Sequence, residues 1–141
     1  MMDESGYEPR YLEGLGAWSR CDYFLAHEIW EALWRDTRGP NRLFYHSLIQ
    51  AAVALYHKQR NHPEAAERLY HRGLRKALPY FPQHQGLNLV ALWDAVEQIV
   101  CHAKIENQRI AVHPSAIVMP ELLDRLIADQ FIPSQTGDQD S

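Results

Sequence analysis

A chain of 141 residues is most simply one domain, and it can bury roughly two-thirds of the surface that its unfolded form exposes. With 46% hydrophobic and 23% charged residues it has the make-up of a globular protein, and a net charge of −4 argues against a general nucleic-acid binder, which carries a basic excess. No run of about 18 apolar residues is present to cross a bilayer, and the start MMDESGYEPR lacks the basic and apolar regions of a secretory signal.

Residues 8–19 are expected as a first helix. A second starts near Asp22, whose side chain suits an N-cap, and stops before Gly39-Pro40. The third has Pro40 in its first turn, where a missing N–H costs little, and runs to about Arg60. Asn61-His62-Pro63 reads as a turn. Pro63 opens a fourth helix, PEAAERLYHRGLRKAL, which Pro79 and Pro82 end. The stretch PQHQG reads as a loop and LNLVALWDAVEQIVCHAKI as a fifth helix. VHPSAIVMP is expected to be irregular, since its two prolines break a helix. Pro120 opens a short last helix, ELLDRLIAD. No strand-like alternation bounded by turn residues is visible. Short links imply antiparallel neighbours, so the expected fold is all-α. It is a single-domain antiparallel bundle of about five to six helices over residues 1–131, followed by a disordered polar tail over 132–141. Cys21 and Cys101 lack CxxC spacing and suit free thiols in a reducing compartment, which makes the cytoplasm the expected location.

The second helix carries an unusual mixture, FLAHEIWEALW. On a helical wheel Tyr23, His27, Trp30 and Trp34 share one stripe, extended by Ala26 and Leu33 on one side and bordered by Phe24 and Glu31 on the other, with His27 in the middle of the side expected to be buried. Glu31 lies one turn beyond His27 and about 40° away. Glu28, Ala32, Arg35 and Asp36 form the opposite, solvated face. The third helix is apolar nearly all round and should be central. Yet His46, Gln50 and His57 fall within about 40° of one another, with Val53 between them. A buried polar side chain without a partner costs about 1–3 kcal/mol. These residues therefore need partners, and His27, Glu28 and Glu31 on the neighbouring helix are the nearest supply.

DYFLAHEIWEALW, then LFYHSLIQAAVALYHKQRN, then AAERLYHRGL resemble a family of small helical proteins, domain of unknown function 309, found in bacteria, archaea and plastids. Tyr23, Phe24, Ala26, His27, Glu28, Trp34, Leu48, Ile49, Gln50, Ala51, Val53, Ala54 and His57 match its pattern. Leu25, Ser47 and Ala65 depart from it. The resemblance covers about residues 18–81 and implies an all-helical fold. It implies no activity, because none is established for the family.

Three readings of the polar residues follow. In the first, His27, Glu31, Gln50 and His57 satisfy one another and fix how the second and third helices pack. In the second, His27, Glu28, Glu31, Trp34, His46, Gln50 and His57 line a ligand pocket. As an enzyme, a hydrolase-like one, the chain would use His27 with Glu31 as base. In the third, HEIWE with His46 or His57 holds a metal. Here Glu31 occupies the place of the second histidine of an HExxH helix, and Trp30 and Trp34 crowd an ion, so no metal and no cofactor is expected. His62, His71, His84 and His113 are read as surface or loop residues. Arg68, Arg72, Arg75 and Lys76 line one face of the fourth helix, read as a solvated face paired with Glu64 and Glu67 rather than a phosphate contact. Trp18, Trp30, Trp34 and Trp93 are read as core. The expected function is a ligand-binding or interaction module, its partner a small molecule, another protein or a second copy of the chain, with no membrane and no nucleic acid.

Overall fold

The computed structural model describes residues 6–102 and 114–133, with the backbone alone at 114 and 115. The expected end of the fifth helix, His113 and residues 134–141 of the expected tail lie outside the described residues.

Four helices form the first part of the chain. In α1 (Pro9–Ser19) the Glu8 carboxylate caps the start by accepting from the Arg10 N–H at 3.0 Å. In α2 (Tyr23–Asp36) Asp22 does the same for Leu25 at 3.2 Å, as its position in the sequence requires. α3 is Asn41–Gln59 and α4 is Pro63–Ala77, each opened by the expected proline. α1 ends with Cys21, and α3 with Asn61, in the left-handed backbone region. There the Asp22 N–H reaches Ala17 O (3.0 Å) and the His62 N–H reaches His57 O (2.8 Å), satisfying carbonyls that the helix end leaves free.

Packing places α3 in the middle. α2 and α4 lie along its two sides, α1 packs on α2, and α5 (Leu89–Glu97) approaches α3 and α4. Phe44, Leu48, Ala51, Ala52, Ala54 and Leu55 of α3 are fully buried, as expected of a central helix. Two glycines set the helix spacing. A side chain at Gly14 would lie 2.0 Å from the Trp30 indole nitrogen, which instead donates to Tyr11 O at 3.2 Å. A side chain at Gly73 would lie 2.6 Å from Trp93 and 3.1 Å from Gln50 Cβ, so glycine lets α4 close on α3.

After a 3-10 turn (Leu78–Tyr80) the segment read as a loop is a hairpin. β1 (Gln83–His84) pairs antiparallel with β2 (Leu87–Asn88), His84 opposite Leu87. Strands of two residues leave no alternation to read. Gln85 and Gly86 both have positive φ (48° and 79°), the geometry of a tight hairpin turn. The tip is fastened from outside: the Tyr11 hydroxyl donates to Gln85 O at 2.6 Å and the Met119 N–H to Gly86 O at 2.7 Å.

The fifth helix is shorter than expected, because Leu87 and Asn88 belong to β2 and Asn88 caps α5 through the Ala91 N–H (3.0 Å). A π turn, Gln98–His102, follows α5. The connection expected to be irregular contains a short helix, α6 (Pro114–Ile117), since its first proline stands where no N–H is needed. α7 (Pro120–Ala128) is the expected last helix. Among the described residues no helix is long and apolar enough to cross a membrane.

Candidate functional site

Burial on α2 follows Tyr23, Ala26, Trp30 and Leu33. This corrects the expected stripe: its centre is turned toward Ala26 and Leu33, and His27 and Trp34 stand half-buried at its border. The cause is packing from two sides. α1 and α3 both press on α2, and small Ala26 lets them approach where a larger residue would not.

The polar stripe of α3 is likewise half-buried. His46, Gln50, Val53 and His57 are each partly accessible. They occupy a strip of α3 between its contacts with α2 and its contacts with α4, a furrow with α2 on one side and α4 on the other. The furrow floor touches both walls. His46 packs on Trp34 of α2 with ring centroids 4.8 Å apart, and Gln50 Oε1 accepts from Lys76 Nζ of α4 at 3.0 Å.

The expected mutual network of His27, Glu31, Gln50 and His57 is not what forms. His27 Nε2 lies 3.8 Å from Glu31, its own helix neighbour, and its Nδ1 is 3.3 Å from Phe24 O. Glu31 also meets Arg35 at 3.6 Å. Glu28 points into solvent on the outer face. His57 stands at the far end, ring against Tyr56 and His62 at 5.9 Å each, with its Nδ1 buried and unpartnered. No hydrogen bond among the described residues links His27 or Glu31 to Gln50 or His57. His27, Glu31 and Gln50 stay accessible enough to take water as a partner and are not driven to find one another.

The furrow is most organised at its Trp34 end. Arg42, half a turn past the α2–α3 link, lays its guanidinium 4.1 Å from the Trp34 ring centre and donates Nε to Thr37 O at 3.1 Å. His46 is one turn on, then Gln50 with Lys76. Burial together with the positive charges of Lys76 and Arg42 lowers the His46 pKa. Burial together with Arg72 and Arg75 lowers that of Lys76. No carboxylate within salt-bridge reach offsets Arg42 or Lys76 among the described residues. Donors dominate what remains free: the Gln50 amide NH2, the Lys76 ammonium and the Arg42 terminal nitrogens. Such a set accepts a negatively charged group.

Arg42 and Lys76 were missed as site residues. Arg42 stands four residues before His46 and lies on the same stripe, a signal available in the sequence. Lys76 could be found by folding α3 and α4 back to back about the Asn61 turn, which sets it beside Ser47 and Gln50. Among the described residues no group of three or more His, Cys, Asp or Glu is placed to hold a metal ion.

The helices that build this furrow can be compared with known proteins. Residues 11–69 match the family model described as Domain of unknown function (DUF309). The match runs from α1 into α4, so it takes in Trp34, Arg42, His46 and Gln50 and stops short of Lys76. "Uncharacterized protein YpuF" of Bacillus subtilis (strain 168) is 40% identical over 55 residues, 38% of this chain and 32% of that protein. An "Uncharacterized protein" of Aquifex aeolicus (strain VF5) is 26% identical over 92 residues, 64% of this chain and 28% of that protein. The chain thus spans about a third of the length of these two relatives or less. No solved structure matches it.

Proposed function

We propose that this small helical protein is a binding module, and that the furrow over α3 receives an anionic group of its ligand at Trp34, Arg42, His46, Gln50 and Lys76. The observation that supports this best is the convergence of Arg42, His46 and Lys76 on one strip without a carboxylate to neutralise them. Like charges gathered in a partly desolvated place raise the free energy of the unliganded protein, and an oxyanion relieves that repulsion while accepting hydrogen bonds from groups already in position. Trp34 supports the site rather than contacting charge: its ring holds Arg42 from below.

Calorimetric titration with inorganic tripolyphosphate at low salt tests the reading. Tripolyphosphate is expected to bind, and Lys76→Gln and Arg42→Gln are each expected to weaken it at least tenfold, as loss of a charge-assisted hydrogen bond does. Absence of binding at millimolar ligand, or equal affinity for both variants and the parent, would refute it. Nothing in the geometry favours hydrolysis over binding, since His27 and Glu31 face each other at the edge of α2 and not toward this group.

A further inference from the structure

The basic residues do not end at the furrow. Arg68, Arg72 and Arg75 of α4 are all exposed, and none forms an ion pair or hydrogen bond among the described residues. The expected pairing with Glu64 and Glu67 therefore does not form. The three arginines lie within about 60° of one another on the helix. They span eight residues, about 10 Å of helix length. One end of this line meets Lys76 and the furrow. The other meets a cleft of about 440 Å3 bordered by Asn61, His62, Pro63, Glu64, Ala65 and Arg68. Glu67 is displaced by about 100° to the other flank, on the side of Cys101, whose thiol pKa is pushed up by burial with a contribution from the Glu67 charge. Glu64 borders the cleft beyond Arg68. In a chain of net charge −4 this is a strong local reversal of sign.

A compact anion fills the furrow and leaves the arginines unmatched. A chain of evenly spaced negative charges meets both. We infer that the ligand of this surface is a single-stranded nucleic acid, its phosphates running from the Arg42–Lys76 furrow along Arg75, Arg72 and Arg68. This rests on the furrow being an anion site and extends it. A single strand is favoured over an acidic peptide because the groups on offer are arginines at helical spacing on one face plus an apolar side chain, Leu43, which is 42% exposed one residue from Arg42 and open to cover by an unstacked base.

Fluorescence anisotropy with a labelled 15-residue oligothymidylate, read across a salt series, tests the inference. Replacing Arg68, Arg72 and Arg75 together by Gln should reduce the slope of log affinity against log salt by about 2, because each phosphate contact on a single strand contributes about 0.7. The same variant should weaken the oligonucleotide at least 30-fold and change tripolyphosphate affinity at the furrow by less than fivefold, because Arg72 and Arg75 act on Lys76 only through their charge. Lys76→Gln should weaken both ligands. Circular dichroism melts of the variants confirm the fold, since the substituted arginines are exposed. An unchanged slope in the triple variant would overturn the strand. So would oligoglutamate of equal length binding as tightly as the oligonucleotide, or tripolyphosphate binding without the oligonucleotide. If tripolyphosphate itself fails to bind, the furrow falls as an anion site and the strand falls with it.

Discussion

Gly14→Ala is the sharpest test of how α1 and α2 pack. In an exposed helix the change helps, since alanine is favoured over glycine by about 1 kcal/mol. Here the new methyl would sit 2.0 Å from Trp30 Nε1, 2.4 Å from Cε2 and 2.5 Å from Cδ1. An indole cannot bend away, and Trp30 is fully buried among Tyr11, Trp18 and Leu33. Overpacking of a dense core costs about 1–3 kcal/mol, and contacts this short belong at the upper end. Moving the ring also breaks the 3.2 Å bond from Nε1 to Tyr11 O, a loss of about 1 kcal/mol. The sum, less the helix gain, is a destabilisation of about 3 kcal/mol. With a urea m-value of about 2 kcal/mol/M, the midpoint should fall by about 1.5 M. Combining Gly14→Ala with Trp30→Leu should cost less than the two changes added, because the clash has gone. A midpoint drop below about 0.5 M, or strict additivity, would mean that α1 and α2 do not meet through this glycine.

Three further outcomes are expected. Trp30→Ala should cost about 3–5 kcal/mol and Trp34→Ala distinctly less, about 1–2 kcal/mol, because only the first side chain is fully buried; equal losses in urea melts would contradict the observed stripe of α2. His27→Leu and Glu31→Leu should each change stability by under about 1 kcal/mol, with a coupling near 0.5 kcal/mol, as a partly exposed i,i+4 pair at 3.8 Å allows; a coupling above 2 kcal/mol in the double-mutant cycle would restore the buried network. His46, His57 and His84 all have pKa values lowered mainly by burial. The unfolded chain therefore takes up protons first as pH falls, so stability is full above the ordinary histidine pKa of about 6.5 and declines as pH drops through it. A melting temperature that rises between pH 7.5 and 5.5 would contradict this, and tripolyphosphate affinity should rise over the same range, since an anion favours protonated His46.

Much of the fold was legible because the chain punctuates its helices with strong local signals. Asp22 caps α2, Pro63 opens α4, and the apolar girdle of α3 announces a central helix, all as the sequence suggested. The hairpin was not legible, since its strands are two residues long and its tip is held by Tyr11 and Met119 from distant segments. The candidate site was half legible. Periodicity grouped His46, Gln50 and His57 on one strip, but it could not say that the strip stays open. That depends on how closely α4 approaches, which Gly73 sets against Trp93 and Gln50. For α2 the wheel gave the correct side and an error of one row, because Ala26 is small and its burial is decided by the helices beside it.

The Tyr11–Gln85 bond joins residues 74 apart in sequence, whereas α1, α2, α3 and α4 each pack on the helix next in the chain. Near-neighbour pairing closes short loops and forms early; a contact of such separation must wait until the ends have been brought together. This suggests an order in time. The first four helices assemble as a local hairpin of hairpins, and the β-turn then latches α1 to the segment leading into α7. Tyr11→Phe, which removes the latch and keeps the ring, is accordingly expected to speed unfolding while leaving the folding rate unchanged. A slower folding limb in stopped-flow measurements would place the latch in the nucleus instead. On the first outcome, the second half of the molecule determines how long the native state lasts rather than how fast it is found.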